Sequence, residues 1–157
     1  MRAPRILFLL TDGARARFVE RSAQTGDFVT LSEVDRRDRL EVLRTELRAS
    51  APGRSLQSGT PERHAVGRES ALRQAKEAFV EEMADRAAEV CRRRDFQAVF
   101  IAAPARLVGP LRRRLTTQAK VAGALQKDLT KASDATLGRW LDHPIAVQAP
   151  GRAKREG

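Results

Sequence analysis

The fold is decided by residues 6–19, whose sequence is ILFLLTDGARARFV. Residues 6–10 are uniformly apolar, which is typical of a buried β-strand. Asp12-Gly13 is a frequent hairpin turn, and residues 14–19 alternate like a strand with one polar face. A second turn at residues 24–27 precedes a third strand over 28–34. The start of the chain therefore predicts an antiparallel meander.

The rest of the chain predicts helices that alternate with strands. Leu40, Leu43 and Leu47 have helical spacing in a short helix over 36–48, and a main helix over 70–94 carries one apolar stripe. The later elements are a strand at 96–103, a short helix at 109–115, a strand at 121–125 and a helix at 134–141 capped by Ser133. A strand after a long helix indicates a crossover to a parallel neighbour. This order predicts a ribonuclease-H-like α/β fold, with one mixed sheet of about five strands, three antiparallel and then parallel, and helices packed on it.

Residues 49–68 have the composition of a loop. Their sequence, ASAPGRSLQSGTPERHAVGR, contains three Gly, two Pro and three Ser. A connection of this length inside a domain is usually functional or disordered. We expect a single domain over residues 1–149 that contains this flexible basic loop, followed by a disordered basic tail at 150–157.

Positive charge is concentrated in part of the chain. The formal net charge is +10, and residues 105–131 alone carry +6 while the 49–68 loop carries +2. A GC-rich genome would also raise the arginine content, but it would spread the charge evenly. The segregation favours a face that binds phosphate-rich partners. The predicted contacts are Arg54, Arg63, His64, Arg68, Arg106, Arg112, Arg113, Arg114, Lys120 and Lys127.

Several classes of site are disfavoured by the composition. The chain has six Phe, one Trp and no Tyr, which is too few for a base-stacking platform. Cys91 is the single cysteine, and its place on the main helix predicts a buried structural thiol in a reducing compartment. Asp12 ends the first strand without a partner carboxylate after residue 103, so we predict a turn residue rather than a ligand for a two-metal centre. No metal site or cofactor is predicted.

Catalysis and membrane insertion have weak support in the sequence. Ser55 and His64 share the 49–68 loop and are weak candidates for a hydrolase, because no orienting acid accompanies them. Binding is therefore favoured over catalysis. The apolar run at residues 6–10 is too short for a signal peptide, and no segment reaches the length of a membrane span. We expect a cytoplasmic protein.

Four stretches resemble the bacterial host attachment protein family, which is related to the middle domain of archaeal and eukaryotic peptide-chain release factors. They are residues 11–17 (TDGARAR), the 49–68 loop with Gly53-Arg54-Ser55, Arg63-His64 and Gly67, residues 102–109 (AAPARLVG) and residues 127–130 (KDLT). The resemblance implies a ribonuclease-H-like sheet and places the 49–68 loop where release factors carry the Gly-Gly-Gln loop that triggers peptide release. Gln57-Ser58-Gly59 does not reproduce that motif.

Three functional hypotheses follow. The first is a module that binds RNA or the ribosome through the 49–68 loop and residues 105–131. The second is a hydrolase that acts on an ester such as peptidyl-tRNA through Ser55 or His64. The third is a regulatory module that binds an acidic protein and has an indirect role in attachment to host cells.

Overall fold

The computed structural model of the protein describes residues 4–49 and 61–142, except the side chains of residues 61–65. Five strands and three α-helices make up most of it. The strands are β1 (Ile6–Thr11), β2 (Arg15–Arg21), β3 (Phe28–Asp35), β4 (Ala98–Ala103) and β5 (Val121–Gln126). The helices are α1 (Arg37–Ala49), α2 (Pro61–Arg94) and α3 (Ala105–Thr116), and a short 3-10 turn at Asp134–Thr136 precedes helical residues 138–142.

All five strands form one mixed sheet in the order β3-β2-β1-β4-β5. β1 pairs antiparallel with β2, and β2 pairs antiparallel with β3. β1 pairs parallel with β4, and β4 pairs parallel with β5. The predicted α/β fold, with three antiparallel strands and then parallel ones, is confirmed.

A compact turn joins β1 to β2. The Asp12 Oδ1 atom accepts hydrogen bonds from the backbone N–H groups of Ala14 and Arg15, each at 2.7 Å. The backbone N–H of Asp12 donates to the carbonyl of Arg15 at 3.0 Å. An aspartate favours such turns because its side chain bonds to the backbone two and three residues ahead. The interpretation of Asp12 as a turn residue is confirmed.

Each face of the sheet is covered by a different part of the chain. On the first face, α2 and α3 pack their apolar sides on the strands, with Met83, Leu111 and Leu115 fully buried. On the second face, residues 129–141 cross the strands and bury Leu129, Leu137 and Leu141 against Phe8, Phe100 and their neighbours. Each buried side chain of this size contributes about 1.5–3 kcal/mol, so both faces supply core.

Three helix boundaries differ from the sequence prediction. α2 begins at Pro61, so residues 61–68 of the predicted loop are helical; proline suits the first position of a helix because its N–H has no helical acceptor there. α3 begins at Ala105 rather than 109, because Leu107 adds a buried contact that extends the helix ahead of Pro110. The last predicted helix is split into the 3-10 turn Asp134–Thr136 and helical residues 138–142.

α1 and the first part of α2 project beyond the sheet. No side chain between 66 and 78 is buried, whereas α2 is buried at intervals from Phe79 to Cys91. Arg36, just before α1, donates two hydrogen bonds to Glu82 of α2 at 2.8 and 2.7 Å. Farther along, Arg44, Leu47 and Arg48 line a cleft with Arg68 and Leu72. These contacts run in opposite directions along the two helices, so α1 and α2 are antiparallel.

Candidate anion-binding site

The candidate site lies at the carboxyl ends of β1 and β4. The two strands are parallel, with Leu10 paired to Ala102. That register brings the turn after β1, which contains Gly13, beside the start of α3, which contains Arg106. In open α/β sheets this edge is where ligands commonly bind, because loops from adjacent parallel strands meet there.

A polar network connects the turn after β1 to the residues that follow β5. Arg15 donates to the Thr130 hydroxyl at 3.0 Å and lies 3.6 Å from the Asp12 carboxylate. The Thr130 hydroxyl also bonds to Asp128 Oδ1 at 2.6 Å and lies 3.5 Å from Asp12 Oδ2. The network joins the TDGARAR turn to the KDLT stretch, two of the stretches singled out in the sequence. Asp12 and Asp128 are therefore committed to bonds within the protein.

Arg17 has a structural role beneath the second face. Only 8% of its side chain is exposed. It donates to the carbonyls of Leu129, Thr130 and Ala132, to the Thr30 hydroxyl, and to Asp134 at 2.6 Å. Burial raises the pKa of Asp134, but hydrogen bonds from Thr30 and the Arg17 charge outweigh it and hold that pKa below its usual range. Arg17 thus ties residues 129–134 to the sheet.

Lys76 of α2 lies directly over the Gly13 backbone. A Cβ atom placed on Gly13 would come within 2.4 Å of Lys76 Cγ, 2.7 Å of Cδ and 2.8 Å of Cβ. Separations this short do not occur between real side chains, so glycine is required for the lysine stem to cross the turn. The contact holds Lys76 at the rim of the sheet.

The Lys76 ammonium is surrounded mainly by positive charge. Burial lowers its pKa, and the guanidinium groups of Arg106 and Arg44 lower it further, while Asp12 acts in the opposite direction. Like charges nearby disfavour the protonated form of a lysine. The ammonium of Lys76 therefore lies in a positive field to which α1 and α3 both contribute.

α3 is the purely cationic helix of this layer. It carries Arg106, Arg112, Arg113 and Arg114 and no carboxylate. Arg114 forms two hydrogen bonds with Asp85 of α2, at 2.8 and 2.9 Å, which lower the pKa of that carboxyl. The other three arginines are exposed, and within the described residues none has an ion pair.

The remaining predicted contact residues are dispersed. Lys120 precedes β5 and Lys127 follows it, so the two lie at opposite ends of that strand. Lys127 stacks its ammonium 5.4 Å from the centre of the Trp140 ring. Arg68 lies in the cleft between α1 and α2. Arg54 and Ser55 lie outside the described residues, and Arg63 and His64 fall on α2, although their side chains are outside the described part.

Arg44 and Lys76 were missed by the sequence reasoning. Each sits among carboxylates in a mixed-charge helical segment, which is typical of a solvated helix face. The TDGARAR motif held the one available signal, since a glycine after a strand can mark a close approach by another group. Its partner on α2 is 63 positions away and depends on how the helices pack.

Other chemical features of the described part are few. No group of three or more His, Cys, Asp or Glu side chains within it is placed to hold a metal ion. No helix in residues 4–49 and 61–142 has the length and apolarity to cross a membrane. The Cys91 thiol is buried, donates to the carbonyl of Phe96, and has a pKa raised by burial, as a structural thiol would. The prediction of a buried thiol is confirmed.

The sequence also matches a known family. The model for "Protein required for attachment to host cells" aligns with residues 7–141, from β1 to the last helical turn. The chain belongs to this family. The match includes both halves of the polar network and all of α1, α2 and α3. No curated protein matches the chain.

Proposed function

We propose that this member of the host attachment family is an RNA- or ribosome-binding module. The observation that carries the proposal is the cationic surface of α3. Its four arginines face no carboxylate on their own helix, and only Arg114 is neutralised by a neighbour within the described residues. Guanidinium groups left without a protein partner are suited to phosphate oxygens, to which they donate in pairs.

The spacing of two of these arginines supports contact with a backbone. Arg106 and Arg113 are seven residues apart, so they project from the same side of the helix and are separated by about 10 Å along its axis. Gly109 and Pro110 lie between them, and no long side chain stands between the two arginines on that side of the helix. An extended nucleic-acid strand would reach both guanidinium groups.

Aromatic side chains point to recognition of phosphate rather than of bases. All six Phe side chains are buried, namely Phe8, Phe18, Phe28, Phe79, Phe96 and Phe100. Trp140 is partly buried under Lys127. Base stacking needs exposed rings, so binding through this surface should depend on charge and little on sequence.

The biological setting is part of the proposal. The resemblance to release-factor middle domains favours ribosomal or transfer RNA as the source of the phosphates. A free buried thiol is compatible with the reducing cytoplasm where that RNA resides. The role in attachment to host cells would then be indirect, through translation or its regulation.

RNA binding is tested directly with the purified protein. We expect fluorescently labelled single-stranded RNA and isolated ribosomes to bind at about 50 mM salt, and binding to weaken as salt rises. Arg106→Ala and Arg113→Ala should each reduce the slope of log affinity against log salt by about 0.7, as for one phosphate contact to a single strand. Arg139→Ala removes an exposed arginine from the opposite face and should leave the slope unchanged.

The result that overturns the proposal is no association with RNA or ribosomes at low salt. Co-purification from cells with and without nuclease tests the acidic-protein hypothesis in parallel. If a partner stays bound after nuclease treatment and the purified protein does not bind RNA, the cationic surface binds a protein.

A further inference from the structure

Two cations from two helices flank one turn at the carboxyl ends of the parallel strands. Lys76 of α2 crosses the Gly13 turn at the end of β1. The register of β1 and β4 brings Arg106 of α3 beside the same turn. Arg44 of α1 lines a neighbouring cleft with Leu72, one helical turn before Lys76, and is paired with Glu41 at 3.4 Å. The placement of Lys76 and Arg106 is local and differs from the row of arginines along α3.

The acidic groups near this point are used elsewhere. Asp12 accepts two backbone hydrogen bonds in its turn and has Arg15 as its ion-pair partner. Glu41 lies 3.4 Å from Arg44 and 3.6 Å from Arg48, both on its own helix. The side chains of Lys76 and Arg106 have no ion pair or hydrogen bond within the described residues. The point therefore carries more positive charge than the protein itself neutralises.

The lysine is also held in place before any ligand arrives. Its aliphatic stem packs on the Gly13 backbone, and burial with neighbouring cations lowers its pKa. A bound anion reverses that effect because it favours the protonated ammonium. Prior positioning reduces the entropy lost on binding, so an anion of matching charge gains affinity at this point.

We propose that Lys76 and Arg106 bind the terminal phosphate of an RNA chain. The inference rests on the proposed function and specifies which part of the RNA enters the rim. A phosphate monoester at a chain end carries a charge between −1.5 and −2 near neutral pH and presents three oxygens, whereas an internal diester carries one charge. Two cations without a partner in the protein match the charge of the monoester, and the other exposed arginines of α3 then follow the diesters of the same strand.

The experiment compares three RNAs of one sequence that differ only at their ends. One has a 5′-phosphate, one a 3′-phosphate, and one hydroxyl groups at both ends. We expect one of the phosphorylated RNAs to bind about tenfold more tightly than the hydroxyl-ended RNA in fluorescence anisotropy, as for one charge-assisted contact. The preferred end identifies which terminus enters the rim.

Matched variants assign the preference to the rim. Lys76→Met keeps the stem over Gly13 but removes the charge, and should abolish the preference while hydroxyl-ended RNA still binds. Arg73→Met removes an exposed cation one turn earlier on the same helix and should retain the preference. Circular dichroism and urea midpoints verify that both variants fold.

Each outcome bears on a different statement. Equal affinity for all three RNAs overturns the terminal-phosphate site and leaves the proposed RNA binding intact. A preference that survives Lys76→Met also overturns it. Failure of all three RNAs to bind overturns both this inference and the proposed function.

Discussion

The two faces of the sheet use arginine in opposite ways. Beneath residues 129–134, Arg17 is buried, and its donors bond to backbone carbonyls, a hydroxyl and the Asp134 carboxylate. On the helical face, Arg106 and Arg113 are exposed without an ion pair among the described residues. An arginine stabilises the fold where the protein supplies hydrogen-bond acceptors for it. Where the protein supplies none, the guanidinium group is available to a partner.

Arg17→Met removes the buried arginine beneath the second face. The substitution removes the arginine donors from the carbonyls of Thr130 and Ala132 and leaves Asp134 without its cationic partner, so we expect a loss of about 3 kcal/mol in the free energy of unfolding. Urea denaturation measures it. Arg21→Met is the matched control, because Arg21 pairs with Asp142 on the surface, where such pairs contribute less than about 1 kcal/mol. Equal losses in both variants would contradict a special role for Arg17.

Gly13→Ala tests the contact that orders the helical face. The new Cβ would overlap the Lys76 stem, so the lysine or the turn must move. We expect the variant to lose about 1–3 kcal/mol of stability, the usual effect of overpacking. In Gly67→Ala, the added Cβ meets nothing within 4 Å, and the helix should gain up to about 1 kcal/mol. A neutral Gly13→Ala would show that Lys76 is not fixed by the turn.

The smallest expected effect concerns Glu82, which anchors the base of the α1–α2 projection. The hydrogen bond from Arg36 holds the pKa of Glu82 below its usual range. The stabilisation is therefore fully present above about pH 4.3, the unfolded value, and is lost as pH falls through the lowered folded pKa. The pair is partly exposed, so we expect less than about 1 kcal/mol.

Glu82→Gln should abolish this pH dependence. Urea midpoints of the original protein and the variant, measured between pH 7 and 3, should differ at neutral pH and converge in acid. A constant difference over the whole range would mean that the carboxylate charge is not involved.

The sequence predicted the sheet because its strands carry local signals. The apolar run at β1, the Asp12 turn and the helix before β4 are each readable within a few residues, and their order limits the topology. The start of α2 was missed because residues 61–68 have a loop-like composition, whereas Pro61 at a first helical position permits helix.

The site was only partly predictable because charge position depends on packing. Lys120 and Lys127 are close in sequence, yet they lie at opposite ends of β5. Arg106 and Lys76 are 30 positions apart and lie at the same turn only because α2 and α3 pack on the same face of the sheet. The net charge of +6 over residues 105–131 therefore does not identify a single surface of the protein.

The length of α2 divides the helix into two thermodynamic regimes. Its 34 residues span about 50 Å. Core side chains cover the helix between Phe79 and Cys91, so we expect its amides there to exchange with solvent only when the whole domain unfolds. The segment between 66 and 78 depends on α1 and on helix propensity, so we expect its amides to exchange through local fraying. Lys76 lies at the boundary, where an anion that bridges α2 and α3 would extend the protected region outward along the same helix.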